Sequence, residues 1–210
     1  AYEISVSDWS SDVCSSDLSR AEWKITPLGS LAGKTVGIAG FGAIGHAVAE
    51  RLKPFGVQIK VLRRSSWQYA VPGILPVDSI EALVAASDHL VIALPATPQT
   101  VHLINAEVLT HAKESLHVIN VARGRIIDQQ ALLRALDNGQ LAGATLDVTD
   151  PEPPPEGDPI YLHPKVVLTP HVSWTGADDI KRLTDKTLVN LDAYAHGAPL
   201  ADVFDKKLGY

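Results

Sequence analysis

The sequence predicts an α/β protein built on a doubly wound parallel sheet, and three observations carry that expectation. Short apolar runs alternate with stretches of helical periodicity from residue 34 onward. No tight hairpin signal joins any two of the runs, so neighbouring strands are expected to pair in parallel through helical crossovers. A glycine-rich turn separates the first apolar run from the first helical stretch. The chain has 210 residues, 46% of them hydrophobic and 20% charged, which is enough for one large domain with a real core. No apolar run approaches the ~20 residues needed to cross a bilayer. The net charge of -6 argues against nucleic acid as the main partner.

The elements follow in order. Residues 34–39, KTVGIA, read as a strand entering the glycine-rich turn. Ile44, Val48, Leu52 and Phe55 then mark one face of a helix, and Gly56 stands where a C-terminal cap belongs. Residues 58–62 form the next strand. Asp78 and Glu81 give a capping-box pattern ahead of IEALVAAS, and 89–94 is a buried-type strand closed by Pro95. A helix is expected over 105–113 and a strand over 117–121. Asp128 caps the helix QQALLRALDNG, which Asn138 and Gly139 stop. Residues 143–148 and 166–169 are further strands, separated by the stiff loop PEPPPEGDP. A final helix over 177–195 places Ile180, Leu183, Leu191 and Tyr194 on a roughly common face.

The first eighteen residues, AYEISVSDWSSDVCSSDL, fit neither a strand nor an amphipathic helix. Codons able to encode Ser7 to Leu18 spell a string resembling a widely used short-read sequencing adapter. Ala1 to Ile4 fit the segment preceding its sample index. The expectation is a translated adapter fused to a truncated gene, leaving residues 1–18 as a non-native, disordered tail. The same codons in an independent library would refute it. Methionine is absent from the whole chain, which fits a truncated product. Glu3, Asp8, Asp12 and Asp17 of this run carry four of the six net negative charges, and Cys14 is the one cysteine of the chain. The remainder therefore has no disulfide or thiol chemistry.

The turn Gly40-Phe41-Gly42-Ala43-Ile44-Gly45 is a G-x-G-x-x-G. It follows a strand, opens an amphipathic helix and precedes a second strand, the context of a Rossmann-like dinucleotide site. Gly40 allows the tight turn, Gly42 a close approach to pyrophosphate, and Gly45 close helix–strand packing. Backbone N–H groups at Gly42, Ala43, Ile44 and Gly45 then face the phosphates. At the end of the second strand, an NAD site carries an acidic residue for the ribose hydroxyls. Here the residues are Arg63 and Arg64, followed by Ser65 and Ser66. A guanidinium binds a 2′-phosphate that a carboxylate would repel, so NADP(H) is expected in preference to NAD(H).

Three more segments, NVARGRIID, LDVTDPEP and LTPHVS, each follow an expected strand. They bring an arginine, carboxylates and a histidine to the carboxyl rim of the sheet, where ligands bind in such folds. With LAGKTVGIAGFGAIG, RLKPFG, LPATPQT, GATLDV and the ending NLDAYAHGAPLADVFDKKLGY, the chain from Arg20 to Tyr210 resembles the D-2-hydroxyacid dehydrogenase family. The resemblance implies hydride transfer between a nicotinamide cofactor and a small 2-oxo or 2-hydroxy acid, such as glyoxylate or hydroxypyruvate. It assigns Arg123 to the carboxylate and keto oxygen of the substrate, His171 to proton donation and Glu152 to the other nitrogen of that imidazole. It sets Asp147 against the nicotinamide amide, with Leu94, Pro95, Val121 and Ala122 lining the cofactor cleft. A homodimer formed through the nucleotide domain and a cytoplasmic location are further implications. The other histidines receive no role, and no His/Cys/Asp spacing suggests a metal.

The chain departs from the family pattern in three places. Arg125 stands where glycine is frequent, and Trp174 closely follows the histidine. Family members are also longer, with roughly the first hundred residues forming most of a separate substrate domain. The expected division is a tail over 1–18, a nucleotide-binding domain over 19–176, and a C-terminal helix and tail over 177–210 that would return to the substrate domain. An exposed apolar face on that helix and an inactive fragment are expected. A dinucleotide-binding regulator of the corepressor type on the same fold is the alternative function.

Overall fold

The computed structural model describes residues 29–64 and 71–203. The expectations for residues 1–18, for Ser65 and Ser66, and for the ending beyond residue 203 lie outside the described residues.

Seven strands form one parallel sheet: β1 (Thr35–Ala39), β2 (Gln58–Leu62), β3 (Ile74–Val77), β4 (His89–Ile92), β5 (His117–Asn120), β6 (Gly143–Leu146) and β7 (Val166–Leu168). Their order is β3-β2-β1-β4-β5-β6-β7, and every pairing is parallel. The winding reverses between β1 and β4, so the loops after those strands part and leave a crevice at the carboxyl rim. The α-helices among the described residues are α1 (Ala43–Leu52), α2 (Ile80–Ala86), α3 (Ala106–Leu109), α4 (Gln129–Asp137) and α5 (Asp179–Ala195).

Strand alternation divides the core in two. Val91 of β4 packs with Val36, Ile38, Ala49, Ile59 and Val61, whereas its neighbours Leu90 and Ile92 pack with Leu83, Leu109, Leu132 and Leu136. Successive side chains on a strand point to opposite faces, so α1 covers one face while α2, α3 and α4 cover the other. Near-continuous apolar runs such as His89–Ile92 are what a doubly covered strand requires. Capping follows the sequence at α4, where the Asp128 carboxylate accepts from Ala131 N–H at 3.0 Å. Asn138 ends that helix, and Gly139 takes a left-handed φ of 78°.

Four local features differ from the sequence reading. The edge strand β3 was not foreseen: Pro76 and the half-exposed Leu75 mask its alternation, and an edge position tolerates both. The cap of α2 is Ser79, whose hydroxyl accepts from Ala82 N–H at 3.1 Å, not Asp78. The expected helix over 105–113 shrinks to Ala106–Leu109, a single turn capped by Asn105. On α1 the fully buried residues are Gly45 and Ala49, and Val48 and Leu52 pack beside them as expected, but Ile44 and, past the helix end, Phe55 are 55% and 54% exposed. Small side chains face the sheet there because Gly45 must lie almost against the Gly40 carbonyl.

Candidate functional site

The site begins where β1 ends. Gly40 has φ +100°, and a Cβ on it would come within 2.6 Å of the Ala93 carbonyl oxygen, so only glycine closes this turn between β1 and β4. Its N–H continues the ladder to the Leu62 carbonyl at 2.8 Å. Gly42 is the N-terminal cap of α1, and the space where its side chain would stand is open. The first bond into the helix runs from His46 N–H to the Gly42 carbonyl, so the N–H groups ahead of it have no partner within the helix. An open cradle of N–H donors at the positive end of a ten-residue helix fits a pyrophosphate. Arg63, half-buried, and Arg64, exposed, directly follow β2 beside this turn. Leu94 and Pro95 follow β4 and are half-buried.

At the end of β5 the buried Asn120 ties down the next loop. Its Oδ1 accepts from Ala122 N–H and its Nδ2 donates to the Arg123 carbonyl, both at 3.0 Å. Val121 is half-buried and Ala122 is 7% exposed, whereas the Arg123 side chain reaches the surface. The guanidinium Nη1 donates to the Ala122 carbonyl at 2.7 Å. Gly124 lies so close to Thr149 that any Cβ would overlap its backbone, which joins the arginine loop to the loop after β6. Across the same junction Arg125 Nε stands 3.6 Å from an Asp150 carboxylate oxygen.

The loops after β6 and β7 carry the acid–base pair. His171 Nδ1 and Glu152 Oε1 are 2.5 Å apart, with both side chains partly exposed. A carboxylate on one ring nitrogen fixes the ring and leaves Nε2 for other chemistry. Trp174 Nε1 donates to the His171 carbonyl at 2.9 Å, which sets this departure from the family pattern against the histidine loop. Asp147 is 4% exposed, and burial pushes its carboxyl up. Hydrogen bonds from Ser173, Thr169 and Val172 outweigh burial and hold it below the ordinary value. A cavity of about 520 Å³ opens beside these groups, lined by Asp147, Thr149, Glu152, Tyr161, Leu168 and Thr169 among others.

The structure thus brings Arg123, Asp147, Glu152 and His171 to the ends of the adjacent strands β5, β6 and β7. The glycine turn and Leu94 lie at the ends of β1 and β4 on the same rim. Sequence reasoning missed Asn120 and Thr169. Both stood inside quoted motifs, but a buried amide or hydroxyl announces itself only through its partners. Among the described residues no cluster of three or more His, Cys, Asp or Glu could hold a metal. No helix among them is long and apolar enough to cross a membrane.

Fold, glycine cradle and rim define a dinucleotide-binding domain of the Rossmann-like class. The family described as D-isomer specific 2-hydroxyacid dehydrogenase, NAD binding domain, matches residues 11–173, a span that includes part of the run assigned to an adapter. The chain belongs to this family. It is 34% identical over 178 residues to a glycerate dehydrogenase of Methylorubrum extorquens, covering 82% of this chain and 54% of that one. It is 38% identical over 170 residues to a glyoxylate reductase of Thermofilum pendens, covering 80% and 50%. The chain spans about half the length of these curated relatives. Among solved structures it superposes with TM-score 0.82 on an NADPH-dependent glyoxylate/hydroxypyruvate reductase of Sinorhizobium meliloti in complex with NADP and sulfate. That match has 30% identity and covers 90% of this chain and 61% of that one.

Proposed function

We propose that this chain is the nucleotide-binding part of an oxidoreductase that reduces a small 2-oxo acid of the glyoxylate or hydroxypyruvate class, drawing on NADPH in preference to NADH. The observation that carries this reading is the His171–Glu152 pair on the same rim as the glycine cradle. The glycerate dehydrogenase and glyoxylate reductase relatives, and the NADP-bound neighbour, support the substrate class and the cofactor.

A dihydronicotinamide cofactor, when bound, would supply the hydride. The N–H groups of Gly42, Ala43, Ile44 and Gly45 would hold the pyrophosphate, and Arg63 and Arg64 would favour a 2′-phosphate. Leu94, Pro95, Val121 and Ala122 wall the cleft and exclude water from the reacting face. Arg123 leaves its contact with the Ala122 carbonyl to grip the substrate carboxylate and polarise the keto oxygen. His171 donates a proton from Nε2 to that oxygen as the hydroxyl of the product forms, and Glu152 stabilises the protonated imidazole beforehand. Asp147 already accepts two bonds at Oδ1 and one at Oδ2. Asp147 would meet the nicotinamide amide.

The enzyme is proposed to work as a cytoplasmic homodimer, a state that sedimentation of the intact protein tests. In a full-length protein carrying this domain, kcat/KM for glyoxylate or hydroxypyruvate should be higher with NADPH than with NADH. Arg123→Gln should lower it by about 10²-fold or more, the scale for losing a transition-state donor. A preference for NADH would refute the cofactor assignment, and near-normal kinetics in the variant would remove Arg123 from the mechanism. Absence of any turnover would favour a dinucleotide-binding regulator. The 210-residue chain alone, half the length of its relatives, is proposed to be inactive, which robust NADPH consumption by it would contradict.

A further inference from the structure

We propose that Asp147 and Thr169 act together as a latch that sets the conformation of the loop carrying His171, so that both are positioning residues for the proton donor. The inference rests on the reading of His171 as that donor. Four bonds from the segment between Thr169 and Ser173 converge on the one residue Asp147. The Thr169 hydroxyl donates to Oδ1 at 2.5 Å, and Val172 N–H donates to the same oxygen at 2.9 Å. Ser173 N–H donates to Oδ2 at 2.9 Å, and His171 N–H donates to the Asp147 carbonyl at 2.9 Å.

Packing cannot supply this order. Val172 is 41% exposed and Trp174 is 68% exposed, so the segment buries no side chain that would anchor it. His171 adopts φ +54°, a left-handed conformation that carries a steric cost for a residue with a Cβ. Asp147 is rooted instead in the sheet: it follows β6 directly, is almost fully buried, and donates its N–H to the Asn120 carbonyl at 3.0 Å. Thr169 follows β7 and extends the ladder through its N–H to the Leu146 carbonyl at 2.9 Å. Its hydroxyl bond fixes the rotation of the carboxylate plane, which lets the two oxygens meet two successive N–H groups. Sheet rigidity is thereby transmitted to an exposed loop, and the imidazole is delivered to Glu152 at 2.5 Å.

Proton NMR of this chain without cofactor tests the latch. The signature is the His171 Nδ1 proton shared with Glu152, downfield of the amide region and assigned by its loss in His171→Gln. Thr169→Val, nearly isosteric but lacking the donor, should abolish or broaden the resonance, and Thr169→Ser should restore it. Asp147→Asn, which turns one acceptor into a donor facing an N–H, should abolish it as well. Thermal unfolding of each variant separates this from general destabilisation, which would lower the melting temperature without selecting this proton. Should Thr169→Val fail to fold, Asp147→Asn read against Thr169→Ser decides by the same criterion. Persistence of the resonance in the valine variant, its loss in the serine variant, or its absence from the parent chain would each overturn the proposal. The readout needs neither bound cofactor nor turnover, so its failure is distinct from failure of the oxidoreductase reading.

Discussion

Gly124 shows how a single missing methyl joins two loops. A Cβ there would overlap the Thr149 backbone, and neither strand end can yield because β5 and β6 are paired through residues 117–120 and 143–146. Gly124→Ala should therefore destabilise the domain by about 1–3 kcal/mol, the range for forcing volume into a packed site. Urea titration checks this, and an unchanged midpoint would contradict the close approach. The glycine turn was legible in the sequence because the chain itself dictates it: the left-handed φ of Gly40 favours glycine, and Gly45, five residues on, packs against the Gly40 carbonyl. Gly124 was not legible in the same way. Its constraint comes from a residue twenty-five positions along the chain, and no local pattern encodes that neighbour. The bonds that occupy Asp147 were hidden for the same reason.

At the level of elements, the paired strands β4 and β5 place His89 opposite His117, with ring centroids 6.2 Å apart and Thr145 Oγ1 at 2.8 Å from His117 Nε2. Burial pushes His89 below the ordinary imidazole value, with Asp88 opposing and Lys34 adding to the shift. Burial, and then the neighbouring His89, do the same to His117. Below an unfolded value of about 6.5 the unfolded chain then binds more protons than the folded one. The stabilisation is complete above that pH and is lost as the pH falls toward the lower folded values. Moving from pH 7.5 to 5.5 should lower the urea midpoint, and His117→Gln should shrink the drop. An equal drop in the variant would sink the assignment. Ser79 supplies another test: Ser79→Ala should cost about 1 kcal/mol by removing the α2 cap, whereas Asp78→Ala should cost far less. Reversed effects in thermal unfolding would restore the sequence reading of Asp78. Adjacent capping candidates such as Asp78 and Ser79 cannot be ranked from sequence, since either can turn a side chain onto the first helical turn.

For the molecule as a whole, the described residues fall into a well-packed sheet with covered faces and a helix, α5, that buries nothing. Ile180 is 84% exposed and Tyr194 is 76% exposed, with Leu183 and Leu191 also open to water. Scattered apolar residues on a surface are ordinary, but a row of them along one helix is a sticky face. Replacing Ile180, Leu183 and Leu191 together by serine should reduce binding of a hydrophobic dye without lowering the melting temperature of the sheet. A fall in that temperature would mean that α5 packs on the domain in solution.

The sequence by itself determined the parallel winding, six of the seven strands, the glycine turn and the placing of Arg123, Asp147, Glu152 and His171 after successive strands. Those features follow from backbone sterics, from the periods of helix and strand, and from loops that must leave a parallel sheet at its carboxyl edge. Only the tertiary structure decided which groups touch. It set the His171–Glu152 distance of 2.5 Å, the contact of Gly124 with Thr149, the turning of small residues of α1 toward the sheet, and the convergence of four donors on Asp147. The physical reason is that hydrogen bonds and steric contacts act over a few ångströms in space. Those joined at the rim lie 19 to 26 positions apart in the chain, and only the pairing of β5, β6 and β7 brings them within reach.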